Sequence, residues 1–263
     1  TFIPGTWINA INVSKGVGSV VNGFESITGQ IDVDFKKSTA VDEKPVFINL
    51  FADYDRRFEG NLNYKFDVNE HLSAITFFHA SQRKHKFDIN GDGFMDAPTF
   101  SNYNVMQKWQ YFSHSGLESQ FGFQYVDEDK KGGTILNTAG IPSSYSFGNK
   151  SNNLNLFIKT GYVFPEEHNK SFGFQLSYNK YRSNSHFGLK DYSGTQGNGY
   201  FNFIYQSYFV EEISKFKLGS SFIFDEYNEE FLSQTFNRIE RIPGAFFEYT
   251  FTLDEHFSFI AGI

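Results

Sequence analysis

The chain has 263 residues, of which 19% are aromatic although only 40% are hydrophobic, and its formal net charge is −7. The absence of cysteine excludes a disulfide framework and a thiolate metal site, and an acidic chain without a long run of Lys or Arg has no electrostatic footprint for nucleic acid. No stretch approaches the roughly 20 consecutive apolar residues of a membrane helix, so any membrane crossing must be sought in strands.

The first 42 residues differ from the rest of the chain, because they are rich in Gly, Val and Asn and poor in aromatic residues. Such a shift in composition indicates a domain boundary. Residues 36–42 are the predicted linker, and Pro45 precedes the first predicted strand, where a missing amide donor is tolerated. We therefore predict one part over residues 1–42 and a second over residues 43–263.

From residue 43 onward, aromatic or aliphatic residues alternate with small or polar ones. Such a strand has one apolar and one polar face. An aromatic face towards lipid and a polar face towards water are typical of a transmembrane barrel. The clearest runs are Phe121-Phe123-Tyr125, Phe172-Phe174-Leu176-Tyr178, Phe201-Phe203-Tyr205 and Phe247-Tyr249-Phe251-Leu253.

The connections between predicted strands alternate between short and long, as in outer-membrane barrels with short periplasmic turns and long outer loops. Charges near the long connections predict hairpins that extend into water beyond the membrane. About eleven strands result, an odd number, and the alternation continues to Ile263, so we expect a portion of a larger barrel. The short connections are residues 67–71, 114–116, 165–170, 211–215 and 254–256, and the long ones are residues 88–102, 127–150, 183–198 and 226–241.

Residues 11–33 contain a glycine-rich pattern, and the tight turns of a compact domain packed against a barrel wall require such glycines. With the strand series that follows, this segment resembles the end of the plug domain of TonB-dependent outer-membrane receptors, in which a strand ending in Lys-Gly or Arg-Gly leads to a Gly-rich turn and a final strand. Residues 2–7 and 88–98 resemble a branch of this family from Bacteroidetes-type bacteria. The plug resemblance is carried by Lys15, Gly16, Gly18, Gly23 and Gly29.

The resemblance covers essentially the whole chain. It implies an all-β fold, with the C-terminal part of a plug over residues 1–42 and the N-terminal half of an antiparallel up-and-down transmembrane β-barrel of about 22 strands over residues 43–263. It implies a receptor in the outer membrane of a Gram-negative bacterium that imports a scarce extracellular ligand, such as an iron–siderophore, haem or another metal complex, without covalent chemistry. The implied partners are the TonB–ExbB–ExbD complex, outer-membrane lipid, the small ligand, and a surface lipoprotein or other envelope proteins.

Residues 88–96 match the D-x-N-x-D-G spacing of a calcium loop, in which Gly93 permits the sharp turn. Thr99 stands where that motif has a bidentate Glu, and no helices flank the segment. An Asx-rich turn that caps a hairpin is therefore the alternative to a structural Ca²⁺ in an outer loop. The candidate ligands are Asp88, Asn90, Asp92, the backbone carbonyl of Phe94, and Asp96.

Other candidate residues carry weaker signals. The seven histidines show no metal-ligand spacing and are interpreted as solvated turn or strand-end residues, and no serine lies in a nucleophile context such as G-x-S-x-G, so we expect no enzyme. Trp7 and Trp109 are interpreted as lining a ligand path or lying at the membrane interface, and for Trp109 we favour the interface or the lipid-facing side. Ligand contacts are expected in the long loops, but no ligand-binding residue is assigned; the residues in or near these loops are Tyr145, Tyr181, Arg182 and Tyr192.

Two other hypotheses fit parts of the sequence. One is a self-contained outer-membrane porin or adhesin barrel of about ten to twelve strands, whose first residues are periplasmic or plug the pore. The other is a soluble, calcium-dependent β-sandwich that binds carbohydrate through aromatic faces. The sandwich predicts Phe and Tyr rings packed in a dry interior between two sheets.

Overall fold

The computed structural model describes residues 3–16, 18–23, 28–39, 44–135, 145–210, 213–253 and 256–263. Regular structure in these ranges is almost entirely β, since the two helical elements are single 3-10 turns at Gly5–Trp7 and Val20–Asn22. None of the helices in these ranges is long and apolar enough to span a membrane. The strands are β1 (Ile8–Lys15), β2 (Gly29–Phe35), β3 (Val46–Ala52), β4 (Arg57–Asp67), β5 (Leu72–Arg83), β6 (Thr99–Phe112), β7 (Leu117–Gly133), β8 (Ser146–Val163), β9 (Ser171–Phe187), β10 (Lys190–Val210), β11 (Ser214–Phe231), β12 (Gln234–Thr252) and β13 (Ser258–Gly262).

The strands form two sheets. β1 and β2 pair antiparallel as a two-stranded sheet, whereas β3 to β13 form an eleven-stranded sheet in chain order. Each strand of the larger sheet pairs antiparallel with its sequence neighbours. The predicted all-β, up-and-down fold is confirmed. Residues 40–43, which include the end of the predicted linker, lie outside the described ranges.

Two of the predicted long loops are strands. β9 and β10 are joined only by Gly188 and Leu189, and β11 and β12 only by Leu232 and Ser233. Leu232 and Ser233 have φ values of 52° and 64°, and positive φ at both central residues matches the right-handed twist of a two-residue hairpin. The prediction of loops over residues 183–198 and 226–241 was wrong, because polar residues on both faces indicate water on both sides and not the end of the strand. The predicted long connection 88–102 is present but spans residues 84–98, because residues 99–102 begin β6. The predicted connection 127–150 was too long, because residues 127–133 belong to β7 and residues 146–150 to β8. The predicted short turns 67–71 and 114–116 lie at residues 68–71 and 113–116.

The two faces of the large sheet differ as the alternation predicts. On β4, Asn61 and Asn63 are 2% and 4% exposed, whereas Leu62 and Tyr64 beside them are 39% and 46% exposed. We call the face with Asn61 and Asn63 the inner face and the opposite one the outer face. Within the strands, the register places all four predicted aromatic runs on the outer face.

The buried apolar core is small and lies on the inner face. It consists of Trp7, Ile75, Phe77 and Met106, with Phe35 packed against them. Among the described strands no second sheet covers the aromatic outer face. The sandwich hypothesis does not fit this architecture, because it requires those rings to form the core.

Candidate functional site

The inner face is lined by polar side chains that little solvent reaches. Buried amides and hydroxyls are stable where they find hydrogen-bond partners, and here many partners lie on neighbouring strands. The Asn61 side chain, for example, donates to Glu59 Oε1 at 3.1 Å, and its Oδ1 lies 2.7 Å from His79 Nδ1. The buried polar residues of this face are Asn61, Asn63, Lys65, Ser73, His79, Ser81, Asn102, Asn104, Lys108, Glu128, Ser151, Ser183, Asn202, Asp225 and Glu248.

The N-terminal segment, residues 3–39, packs on the inner face at two places. At the first, which we call the near contact, the ring of Trp7 lies 5.2 Å from that of Phe77 on β5, and Trp7 is completely buried. The side chain of Asn63 on β4 donates to the carbonyl of Thr6 at 3.1 Å. Neither sequence interpretation of Trp7 was right: it lines no open path and faces no lipid, because the segment that carries it lies against the wall.

Ser38 extends the near contact to β6. Its backbone N–H and its hydroxyl both lie within hydrogen-bond distance of Gln110 Oε1, at 2.8 and 2.7 Å, and its Oγ lies 2.7 Å from Ser73 Oγ. The two ends of the segment, around Trp7 and around Ser38, therefore lie on neighbouring strands: the first on β4 to β6 and the second on β5 and β6.

The second place, the far contact, lies on β10 to β12. The hydroxyl of Ser19 donates to Glu248 Oε2, and Lys217 donates to the other oxygen, Oε1, at 3.0 Å. Asn202 on β10 donates its side-chain N–H to the carbonyl of Val21 at 3.2 Å. Glu248 is only 4% exposed, so its charge depends on these donors. The segment thus reaches across the inner face from one side of the sheet to the other.

The glycines of the predicted plug motif lie at the turns of this segment. Lys15 ends β1 and pairs with Gly29, the first residue of β2. Gly29 has a φ of 143°, and a Cβ there would lie 2.7 Å from the carbonyl oxygen of Ser14. Gly16 and Gly23 also have positive φ, at 89° and 85°, and Gly18 lies between β1 and the 3-10 turn. The backbone therefore requires glycine where the sequence predicted tight turns.

The segment over residues 88–96 forms a compact Asx-rich turn. Asp88 Oδ1 accepts the backbone N–H of Gly91 at 2.7 Å and that of Asp92 at 3.1 Å, while its Oδ2 accepts that of Gly93 at 2.8 Å. The described residues contain no group of three or more His, Asp or Glu side chains placed to hold a metal. Loop geometry alone does not decide between a turn and a cation site, so Ca²⁺ at Asp88, Asn90, Asp92, Phe94 and Asp96 stays a prediction.

Outward-facing aromatic rings cluster near the end of the sheet that carries the short turns. Trp109 on β6 stacks on Phe121 of β7 with centroids 5.4 Å apart and planes 14° apart. Similar ring contacts recur around the sheet at the same end, as the centroid distances 5.5 Å for Tyr162–Phe172, 4.7 Å for Phe209–Phe216 and 6.2 Å for Phe216–Phe247 show. The rings form a belt on the outer face, where an aromatic girdle is expected in a barrel.

The loop residues singled out in the sequence lie on different faces. Tyr181 and Tyr192 are on the inner face, whereas Arg182 is exposed on the outer face. Tyr192, near the tip of the β9–β10 hairpin, donates its hydroxyl to Glu229 at 2.7 Å. Burial and this hydrogen bond raise the pKa of Tyr192 to about 12, so it stays a neutral donor. Residues 136–144, most of the loop before Tyr145, lie outside the described ranges.

One histidine differs from its sequence interpretation. His79 is 4% exposed on the inner face, between Asn61 and Ser81, so the interpretation as a solvated residue was wrong there. The sequence of β5 did not predict the burial of His79. A polar inner face accommodates histidine as well as asparagine, so the alternation with apolar residues does not show whether the histidine is buried or solvated. His71 and His114 lie in adjacent short turns with ring centroids 5.7 Å apart.

The short connection between β8 and β9 is held by an ion pair between Lys170 and Glu167, and Tyr208 donates to Glu167 Oε2 at 3.1 Å. The hydrogen bond from Lys170, followed by that from Tyr208, lowers the pKa of the Glu167 carboxyl, and the bond to Glu167 raises the pKa of Lys170. A lowered carboxyl pKa stabilises the fold above the ordinary Glu value, and that stabilisation disappears as the pH falls through the lowered pKa. Both groups are solvated, so the effect on stability is small.

Sequence patterns missed the wall residues that hold the N-terminal segment. Ser19 and Glu248 are 229 positions apart, and no local motif marks either. The one available signal was that Lys217 and Glu248 place charges at inner positions of otherwise apolar runs. Pairing them required the strand register, which brings them opposite each other.

Comparisons with known proteins show which solved structures share this fold. No protein-family model matches the chain, and no curated protein sequence matches it. Among solved structures, the pyoverdine outer membrane receptor FpvA from Pseudomonas aeruginosa PAO1, bound to pyoverdine, matches with a TM-score of 0.76 and 13% identity over 97% of this chain and 44% of that one. The structure of the FpvAI–pyocin S2 complex matches with a TM-score of 0.75 and 14% identity over 96% of this chain and 41% of that one.

The siderophore receptor PiuA from Acinetobacter baumannii matches with a TM-score of 0.64 and 11% identity over 97% of this chain. The match covers 50% of that receptor, so the chain spans half or less of each of these proteins. At such low identity the likeness concerns the fold alone. The chain therefore has the all-β antiparallel fold found in part of these outer-membrane receptor structures.

Proposed function

We propose that the chain is the end of a plug and part of the barrel wall of a TonB-dependent receptor in the outer membrane of a Gram-negative bacterium. The observation that carries this proposal is the N-terminal segment docked across the polar inner face of a sheet whose outer face is aromatic. A segment that occupies the inside of a wide barrel suits a transporter with a plugged lumen. The fold likeness to siderophore receptors supports the same proposal.

Strand length supports a membrane position. A transmembrane strand needs about 9–11 residues, whereas β10 has 21 and β12 has 19. If the aromatic belt marks the periplasmic boundary, the far halves of these strands extend beyond the lipid as hairpins. The charged and amide residues on both faces of residues 183–198 and 226–241 fit water on both sides.

The proposed activity is active import of a scarce extracellular ligand, such as an iron–siderophore, haem or another metal complex. Import would be driven by the TonB–ExbB–ExbD complex, with a surface lipoprotein or other envelope proteins as further partners. The pyoverdine and siderophore receptors that share the fold make a metal chelate the first ligand to test. The protein would move its ligand without covalent chemistry.

Two measurements test the proposal. Membranes should retain the protein in sodium carbonate and release it in detergent, and its gel mobility should change on heating, because a barrel resists dodecyl sulfate until heated. A deletion strain should grow poorly on at least one iron, haem, copper or cobalamin source when that source is limiting. Release by carbonate contradicts the membrane assignment, and growth unchanged on all sources contradicts metal-complex import.

We also propose that Ca²⁺ stiffens the loop over residues 88–96. The support is the spacing of Asp88, Asn90 and Asp92 together with the turn that Gly93 permits. Addition of Ca²⁺ should slow amide exchange in this loop, and Asp92→Asn should reduce the effect at least several-fold while Asp127→Asn does not. Equal exchange with Ca²⁺ and with chelator means that the segment is an Asx-rich turn only.

A further inference from the structure

Four inward-facing side chains stand level with one another on four adjacent strands, at the end of the sheet that carries the long connection 84–98. The register pairs Arg57 with Arg83, Arg83 with Phe100, and Phe100 with Lys130. Directly opposite residues in neighbouring strands share a face, here the inner one. We call these four residues the cationic row.

The cationic row carries more positive charge than its neighbours balance. Arg57 pairs with Glu59 at 2.6 Å and Lys130 with Glu128 at 2.8 Å. Arg83 instead donates from Nη2 and Nε to the carbonyl of Pro98 at 2.9 and 3.2 Å, and no ion pair of Arg83 occurs in the described part of the chain. Like charges directly opposite on a sheet destabilise it, so this pair of guanidiniums is a cost to the fold.

A second feature of the row is an arginine with an unused donor. Nε of Arg57 is buried and has no hydrogen-bond partner among the described residues. Arg57 contacts Glu59 through Nη2, and Arg83 contacts Pro98 through Nε and Nη2. In the described residues, the Nη1 group of neither arginine takes part in these hydrogen bonds. Donors therefore remain on both guanidiniums, side by side.

Aromatic rings hold these guanidiniums in place. The Arg57 guanidinium carbon lies 5.7 Å from the Phe51 ring centroid and 6.0 Å from that of Phe100. The corresponding carbon of Arg83 lies 5.5 Å from Phe100 and 5.7 Å from Phe87. Phe100 thus contacts both cations, and such cation–π contacts orient a guanidinium without using its charge.

We propose that the cationic row binds an oxyanion attached to an aromatic ring system, as in a catecholate or carboxylate metal complex; this rests on the import function proposed above. A guanidinium binds oxyanions through its fork of donors, and the rings offer a surface for an aromatic ligand. The row lies on the inner face, which excludes the headgroup of a surrounding lipid. At the same end of the inner face, β11 carries Asp225 and Glu229 beside Arg238 of β12, whereas Arg83 has no ion pair with a described residue, so an anion is attracted to the cationic row at Arg83.

The test measures binding of three iron complexes to the purified protein in detergent. The anionic probes are the ferric complex of 2,3-dihydroxybenzoate and haemin, and the cationic probe is ferrioxamine B. The test variant is Arg57→Gln with Arg83→Gln. The matched control is Arg182→Gln with Arg241→Gln, which removes the same charge from exposed positions on the outer face.

The wild type is expected to bind at least one anionic probe, and the test variant to weaken that binding about tenfold or more. Ferrioxamine B binding should not change, and the control variant should bind all probes as the wild type does. Arg83→Lys should lose an intermediate amount, because it keeps the charge but not the fork. Heat-dependent gel mobility of each variant shows that it has folded.

Three results overturn the proposal: no binding of either anionic probe by the wild type, equal weakening by the test and control variants, or equal weakening of anionic and cationic probes. The import function is judged separately, by carbonate extraction and growth of the deletion strain. If the protein is a membrane importer but its anion binding does not depend on Arg57 and Arg83, the proposed function is retained and only the proposed role of the cationic row is rejected.

Discussion

The N-terminal segment touches the wall at two places whose chemistry differs. The near contact is centred on the apolar packing of Trp7 against Phe77, with neutral hydrogen bonds of Asn63 and Ser38 beside it, whereas the far contact is a carboxylate, Glu248, shared by Ser19 and Lys217. Apolar burial depends on fit over a large area. A buried charge is stable only while hydrogen-bond donors or an opposite charge compensate its desolvation. The loss of one partner therefore leaves a desolvation penalty that nothing offsets.

If the N-terminal segment is the end of a plug, as proposed above, this difference predicts separate roles for the two contacts. The near contact is expected to anchor the segment, because its separation from the sheet would expose the apolar surface of Trp7 to water. The far contact holds the segment through a few directional bonds, which water can replace. We therefore expect the far contact to open first, and the following substitutions test that order.

Trp7→Ala should have the largest effect. It removes a fully buried indole, and such truncations cost about 3–5 kcal/mol. Limited proteolysis of the detergent-purified protein should cleave the N-terminal segment much faster, and the thermal midpoint should fall. Trp109→Ala is the control, since Trp109 lies on the outer face; if it accelerates cleavage as much, the near contact is not the anchor.

Glu248→Gln should weaken only the far contact. The amide keeps the size of the side chain but loses the negative charge and one of the two acceptor oxygens, so its NH2 group faces a donor; a hydrogen bond to a charged group is worth about 1.5–3 kcal/mol. Amide exchange should speed up at residues 19–22 and stay unchanged in β1 and β2. Glu226→Gln, which contacts Asn228 on the same strand, should leave both regions unchanged. Equal acceleration in both regions means that the two contacts open together.

Gly29→Ala tests whether the hairpin between the contacts is rigid. The new Cβ would meet the Ser14 carbonyl oxygen in a backbone conformation that side chains rarely adopt, at a cost on the order of 1–3 kcal/mol. Amide exchange in β1 and β2 should increase. Gly5→Ala is the control, because a Cβ there meets nothing within 4 Å, and a similar increase in that variant would contradict the explanation by strain.

The sequence predicted the large sheet and its two faces better than the contacts between this sheet and the N-terminal segment. Alternation placed Phe121 and Phe123 on the outer face, because successive side chains of a strand point to opposite faces of the sheet and the two faces differ in polarity. The same reasoning failed for residues 183–198, where water on both faces removes the period while the strand continues. It failed for Trp7 too, since its surroundings come from β5 and β6, far along the chain, and the register that unites them is set by the whole sheet.

Asn202→Leu should have the smallest effect, although Asn202 also touches the far contact. Its Nδ2 donates to Val21, but its Oδ1 is buried without a hydrogen bond in the described residues. Leucine removes that unsatisfied acceptor together with the donor, and the Val21 carbonyl, which is only partly buried, can accept from water instead, so the net loss is that of one ordinary hydrogen bond, about 1 kcal/mol or less. We expect amide exchange at residues 19–22 to change less than about threefold, under about 1 kcal/mol. A change as large as that of Glu248→Gln would show that the far contact depends on Val21 as much as on the carboxylate, and the proposed order of opening would then rest on the loop backbone instead of on one charge.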